Sequence, residues 1–394
     1  MTPTGPAPTD AVNPTPAVEV VTLGESMVTF LPSLPGRLAD VPSFERAIGG
    51  AESNVACVLA AAGHTAKWVS RVGDDGFGDH LIEAIGAYGV DTSAVQRDAT
   101  RPTGIYFRTA NDRSTDAHEV AYYRTGSAAS AMATDTVDLH AVRSARVLHL
   151  SGITAALSGG CLRLLRELTT RRPGRALVSF DVNHRPGLWD TPEGPRVLLD
   201  LARGADIVFV GEDEAQAAWG LRGAGVVRQA LPEPDVLVVK QGGGGATVFE
   251  RVRDRADLRE GDTDIDMDTH MDMDMDMDID IDIDIDVVDG AATDVVTFVP
   301  GLRVEVVAAV GAGDAFAAGF LSATLRGLPA RDRLRHGHLM AAAALTVPGD
   351  LGTPPSRDLA DRLAALDDDA WGTLRLGPGW TNAADRAQEE VHTP

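Results

Sequence analysis

Val310-Gly311-Ala312-Gly313-Asp314-Ala315-Phe316 sets a two-glycine turn against one carboxylate at the mouth of an apolar helix. Glycines let the backbone turn and expose its N–H groups. The first turn of the following helix has unpaired donors and the positive end of a dipole, so a phosphate fits there. Asp314 then has two readings: it caps the helix, a position Asp favours, or it accepts the proton of an alcohol attacking a phosphoryl group held by the turn. Its unperturbed pKa of about 3.9 makes it a weak base. The attacking alcohol becomes acidic only late in the transfer, so a well-placed weak acceptor suffices.

Working outward, short apolar runs alternate with helical patterns along most of the chain. Residues 18–23, 66–72, 146–151, 176–181, 206–210 and 236–240 read as buried strands, and 52–62, 77–88, 160–170, 195–202 and 212–219 as helices. That alternation implies an α/β fold, a largely parallel sheet with helices on both faces and ligands beyond the strand carboxyl ends. Two stretches break it. Residues 27–32, and 104–109 with 119–124, have period-two patterning of mixed polarity and no helix after them. They form either a small sheet covering a site, with lid strands within about 27–47 and 103–125, or an edge extension of the main sheet.

At 394 residues and 44% hydrophobic content, the chain is long enough for one large domain, placed at 18–365, with a C-terminal extension at 366–394. Residues 1–17 are rich in Pro and Thr, with no basic start or apolar run, and are expected to be a disordered tail rather than a signal peptide or anchor. No apolar run is long enough to span a bilayer. Cys57 and Cys161, the two cysteines, lie in apolar helical patterns, which suits small core residues in a reducing cytoplasm. The formal charge of −23 opposes nucleic acid or an anionic membrane as partner. Fourteen of those charges are Asp between Asp262 and Asp294, where no Lys or Arg occurs, so −9 remains for the rest. In that tract Asp alternates with Met or Ile, which as a strand would place carboxylates about 7 Å apart along one face. We expect a solvated, disordered insertion at about 254–294. It lacks the Gly and varied oxygen ligands of a shaped calcium loop, so weak counter-ion binding is the most it suggests.

Two further glycine segments join the turn. Gly49-Gly50-Ala51-Glu52-Ser53-Asn54 opens an alanine-rich helix, where Gly50 and Asn54 can approach a polar ligand, although Asn54 could instead bond local backbone. Lys240-Gln241-Gly242-Gly243-Gly244-Gly245 follows a strand and suits close passage of a nucleotide, a hairpin turn being the plain alternative.

The order and spacing of these motifs resemble the ribokinase-like (PfkB) family of carbohydrate kinases. Its two signature regions correspond to 49–78, including Arg71-Val72-Gly73-Asp74-Asp75-Gly76-Phe77-Gly78, and to 310–319. The resemblance implies a three-layer α/β/α sandwich with a β-sheet lid, ATP as donor with Mg²⁺, and Asp314 as the base. The amides of Gly311, Ala312 and Gly313 would face the transferred phosphate. Within the family the chain is similar to 2-keto-3-deoxygluconate kinases, on Val21-Thr22-Leu23-Gly24-Glu25-Ser26-Met27, Thr103-Gly104-Ile105-Tyr106, Tyr122-Tyr123-Arg124 and Asp181-Val182-Asn183-His184-Arg185-Pro186-Gly187-Leu188-Trp189. Gly50, Asn54, Tyr106, Tyr122, Arg124, Arg185 and Asp350 are thereby expected at the sugar. Asn183, Lys240, Gly242, Gly245 and His338 are expected at ATP, and Glu214 near the metal through water. Two arginines and two tyrosines suit an acidic keto sugar, since guanidinium forks pair with carboxylate and phenols bond hydroxyl or keto oxygens. Arg124 and Arg185 as surface ion-pair partners is the alternative. The resemblance further implies a homodimer or higher homo-oligomer through the lid. Three positions depart from the family pattern: Ala308 and Gly211 replace an Asp and an Asn, and His338 replaces a frequent Asn. The first bears on monovalent-cation activation. The first two also leave room for a sugar-binding regulator without catalysis, and a kinase of a neutral sugar or nucleoside remains a further alternative.

Overall fold

The computed structural model describes residues 18–34, 36–109, 119–189, 192–252 and 294–382. Strands form where the sequence is rich in Val, Ile and Phe, because both faces of the central sheet are covered. Its eight strands run in the order Asp294–Pro300, Gly245–Arg251, Val236–Lys240, Ile207–Gly211, Leu177–Asp181, Ala145–Ser151, Val18–Leu23, Ala66–Val69. Six are parallel, and the first two join as an antiparallel edge. Side chains alternate across this sheet, so Val21 and Leu23 enter one core while Val20 enters the other. The helices Gly159–Thr169 and Gly194–Gly204 cover the first core, and Ala51–Ala61, Gly76–Gly86, Ala312–Leu325 and Ala330–Leu345 the second. The α/β sandwich read from the sequence is therefore present.

The run read as one strand over 66–72 divides in two. Ala66–Val69 stays in the main sheet, while Arg71–Gly73 turns away and pairs with Gln96–Asp98, held by Arg71 on Asp98 at 2.9 Å. A Cβ on Gly73 would stand 2.3 Å from the Asp75 carboxylate, so only glycine lets the chain pass there.

A separate four-stranded sheet, in the order Phe44–Gly49, Met27–Pro32, Ile105–Arg108, Val120–Tyr123, lies over the carboxyl ends of the main strands. It is the lid rather than an edge extension. Alternation along Ile105–Arg108 gives it two unlike faces. Tyr106 and Arg108 are buried toward the body, whereas Phe107 stacks on Phe30 at 4.8 Å and meets Phe44 and Tyr123 edge-on.

The tail 1–17 and the acidic tract of 254–294 lie outside the described residues, except for Asp294. Asp294 is not part of a solvated run: both its oxygens accept from Arg228 at 2.7 Å, and it begins the edge strand opposite Arg251. Because Gly245 and Pro300 pair at the strand-carboxyl edge of the sheet, Arg251 and Asp294 mark the far edge, where the tract is inserted. Beyond residue 365, the helix Asp368–Thr373 buries Trp371 completely, with its indole N–H on the Pro300 carbonyl at 3.0 Å and Arg335 over its ring at 4.6 Å. Among the described residues no helix is long and apolar enough to cross a membrane.

Candidate active site

Parallel strands deliver their carboxyl ends to one edge, and two adjoining clefts open there. One, of about 820 Å³ beneath the lid, is lined by Gly50, Asn54, Tyr106, Tyr122, Arg124, Asn183, Arg185, Gly311, Asp314 and Asp350. The other, of about 780 Å³, is lined by Gly242, Gly245, Ala312 and His338. Arg185, Glu214, Lys240 and Gly313 line both. Every site residue expected from the sequence thus faces one of two neighbouring cavities, and the glycine turn stands at their junction.

Gly311 adopts a left-handed conformation, φ 77°, and a Cβ on it would lie 2.0 Å from the Asp350 carbonyl oxygen. No other residue fits there. Gly311 is itself the residue preceding the helix Ala312–Leu325, so Asp314 sits in the first turn and does not cap it. The capping reading fails because the turn places the helix start three residues earlier than Asp314 would need. Its carboxylate accepts instead from the Asn54 amide at 2.9 Å. Burial pushes Asp314 up to about 7, helped by the charges of Asp181 and Asp350 and opposed by Asn54 and Lys240. It is therefore a far better base near neutral pH than an unperturbed Asp.

On the lid side, the Tyr106 and Tyr122 rings lie 5.4 Å apart and Arg124 stands 5.9 Å above Tyr122. Arg124 lines the lid-side cleft and forms an ion pair with Glu25, which also accepts from Ser127 at 2.5 Å. Tyr106 donates to Asp350 at 3.2 Å, and Arg108 binds the other Asp350 oxygen at 3.0 Å. Burial raises the Asp350 carboxyl, against the pull of Arg108, Tyr106 and Asn54. Arg185 differs from these arginines. Its side chain is 53% exposed and reaches Glu214 only at 3.5 Å.

Toward the second cleft, Lys240 donates to Asp181 at 2.8 Å. Burial works against its charge, but Asp181, Glu214 and Asp314 together hold it above the ordinary lysine value, so it stays an ammonium. Asn183 has φ 42°, an uncommon conformation for a non-glycine residue, with its N–H on Asp181 at 3.3 Å. Glu214 accepts from the Gly211 N–H at 3.0 Å. His338 packs edge-on against Phe316, and burial lowers it to about 4, so it is neutral. Among the described residues no three His, Cys, Asp or Glu side chains are gathered to hold a metal.

The residue-by-residue reading of the sequence missed Glu25, Arg108, Glu52 and Asp181. Arg108 was legible in principle, since period two places it on the face of Tyr106. Glu52 gives no such signal. Its side chain turns into the protein, accepts from Thr154 at 2.5 Å and is pushed by burial up to about 8.

The pattern of the pfkB family carbohydrate kinase matches residues 18–258 and 287–357, so the unmatched interval falls in the acidic tract. The 2-dehydro-3-deoxygluconokinase of Bacillus subtilis (strain 168) is 31% identical over 354 residues, 88% of this chain and 96% of that protein. Fructokinase-1 of Zea mays is 31% identical over 237 residues, 59% of this chain and 73% of that protein. Among solved structures, the PfkB protein from Polaromonas sp. JS666 superposes with a TM-score of 0.68 at 32% identity, covering 89% of this chain and all of that one. With the glycine turn, the lid and the paired clefts in place, this chain belongs to the PfkB family of carbohydrate kinases and is a sugar kinase.

Proposed function

We propose that the chain transfers the γ-phosphoryl group of ATP to a terminal hydroxyl of a small acidic keto sugar, 2-keto-3-deoxygluconate, giving its 6-phosphate. The observation that carries the choice of an acid is Arg185. Arg108 and Arg124 are committed to buried carboxylates, and Lys240 to Asp181, whereas Arg185 is half exposed and loosely held. A substrate carboxylate would draw it from Glu214 into a two-pronged contact.

The sugar lies under the lid, with Tyr106, Tyr122, Gly50, Asn54 and Asp350 around its oxygens. Close passage at Gly50 matters, since a Cβ there would stand 2.6 Å from the Glu25 carbonyl oxygen and the Ser26 hydroxyl. ATP occupies the second cleft along Gly242 to Gly245, with His338 near the base and Asn183 near the phosphates. Asp314 takes the proton of the attacking hydroxyl, the Gly311, Ala312 and Gly313 amides meet the charge on the transferred group, and Lys240 adds a fixed ammonium. Mg²⁺ would neutralise the β- and γ-phosphates, held by their oxygens and by water, with Glu214 and Asp181 as the carboxylates nearby. Glu214 lines both clefts, where it would hold such an ion through water. Closure of the lid excludes water that would compete for the phosphoryl group.

Phe30, Phe44, Phe107 and Tyr123 on the lid's other face support a homodimer or higher oligomer through the lid. Two buried, unpaired cysteines agree with a reducing cytoplasm. A second reading, a kinase of a neutral sugar, draws on the fructokinase relatives and on the neutralised Arg124. The test is the ratio of kcat/KM for the acidic keto sugar over fructose. Arg185→Met is expected to lower that ratio at least about tenfold; an unchanged ratio supports the neutral sugar.

A further inference from the structure

Asp350 lies where three parts of the site meet. Its carbonyl fills the space beside Gly311 that any larger residue would need, which presses the residue 350 backbone onto the glycine turn. Its carboxylate is divided between two lid residues: Oδ2 accepts from Tyr106 at 3.2 Å and Oδ1 from Arg108 at 3.0 Å. The same Arg108 nitrogen also donates to the Pro348 carbonyl at 3.1 Å, so one guanidinium corner grips both the side chain and the backbone of this loop. The pair is deeply enclosed, with 4% and 6% of the side chains exposed. Asn54, which holds the base Asp314 at 2.9 Å, also bonds Asp350.

We propose that Arg108 is a positioning residue for phosphoryl transfer: it fixes the Asp350 carboxylate at the sugar and fastens the loop behind the glycine turn to the lid. Closing the lid and setting the turn then become one event, because Arg108 belongs to the lid strand Ile105–Arg108 while its partners belong to the loop that backs Gly311. A lysine could supply the charge. Its ammonium sits on a flexible stem rather than on a planar guanidinium, so it would hold the two acceptors less firmly. The inference rests on the reading that Asp350 faces the sugar.

The groups facing Asp350 are Tyr106 and Arg108 from the lid, Asn54 from the helix Ala51–Ala61, and Asp314 from the helix Ala312–Leu325. Arg108 is the cation among them. Without it, burial acts unopposed by any cation in this group, and Asp350 stays protonated to higher pH.

The test uses full-length Arg108→Met, Arg108→Lys and Asp350→Asn in an ADP-release assay, with the best sugar from a panel and with ATP varied separately. For Arg108→Met the sugar KM is expected to rise at least about tenfold, with the ATP KM within about twofold. The acid limb of kcat/KM for the sugar, set by Asp314 in the wild type, should move to higher pH as Asp350 joins it. Arg108→Lys should raise the sugar KM at least about threefold and leave the acid limb near wild type. A wild-type sugar KM and pH limb in Arg108→Met, with Asp350→Asn impaired, overturns this inference alone. A wild-type sugar KM in Asp350→Asn overturns the reading beneath it as well. If Arg108→Met is not folded by circular dichroism, Arg108→Lys decides, and a wild-type sugar KM there overturns the role.

Discussion

Replacing Asp314 by Asn separates what this carboxylate does for catalysis from what it does to the fold, and the two should move in opposite directions. The amide keeps an oxygen for Asn54 but accepts no proton, so turnover should fall at least about 100-fold. Stability should rise. Burial lifts the carboxyl from 3.8 to about 7 in the folded protein. For a group raised on folding, the stabilising contribution is fully present below the unfolded pKa and is lost as pH rises through the folded one. By pH 8 the ionised, partly buried carboxylate destabilises the wild type by at most about 4 kcal/mol, from about 1.4 kcal/mol per pH unit. The position in a helix first turn and water in the cleft both favour the charge, so a working expectation is about half that. Thermal unfolding of ligand-free wild type and Asp314→Asn at pH 5.5 and pH 8 measures it. The variant should melt higher at pH 8, and the gap should be larger there than at pH 5.5 by about 1 to 2 kcal/mol. In the wild type, kcat/KM should climb as pH rises through about 7. A variant with wild-type turnover, or one whose advantage shrinks between pH 5.5 and pH 8, would refute the assignment of Asp314 as a partly buried base.

Other perturbations separate the remaining parts of the account. Gly311→Ala forces a side chain into the Asp350 carbonyl at a left-handed position, and should cost at least about 2 kcal/mol of stability along with most activity; wild-type melting would show that the turn relaxes freely. Excising residues 253–293 and closing the Arg251–Asp294 hairpin with a two-residue turn should keep kcat within about twofold, because the tract enters at the sheet edge away from the clefts and leaves the Arg228 pair intact; loss of soluble protein would make the tract structural. Glu52→Gln keeps an acceptor for Thr154 and matches the neutral form expected near pH 7, so turnover within about threefold is predicted; a hundredfold loss would mean that Glu52 works as an anion. Since Ala308 is buried and brings no oxygen ligand, replacing K⁺ by a bulky organic cation should leave turnover unchanged; strong K⁺ activation would contradict that.

The layers of the fold were legible because burial on both faces leaves continuous Val-rich runs, as in Val18–Leu23 and Val236–Lys240, and because the lid strands alternate instead. The site's glycines and Asp314 were legible from their spacing. What escaped was pairing across the fold. Glu25 on Arg124 and Asp350 on Arg108 join residues roughly one hundred and two hundred and forty positions apart, and no local pattern encodes them. Those pairs change the chemistry, since Arg124, expected at the sugar, also holds Glu25. The pKa of Asp314 is likewise a product of burial and neighbours that a seven-residue motif does not contain. Asp294 shows the reverse error: composition grouped it with the acidic tract, while its register opposite Arg251 and its grip on Arg228 make it the first residue of a core-sheet strand.

The proposed acceptor of this sugar kinase carries a carboxylate. ADP release by the purified protein with Mg²⁺ and ATP, across 2-keto-3-deoxygluconate, fructose, ribose and adenosine, tests it most directly. kcat/KM for the acidic keto sugar is expected at least about tenfold above that of every neutral acceptor. Fructose, ribose or adenosine turning over faster would contradict it, as would sugar binding seen by calorimetry with no ATP consumed on any member of the panel.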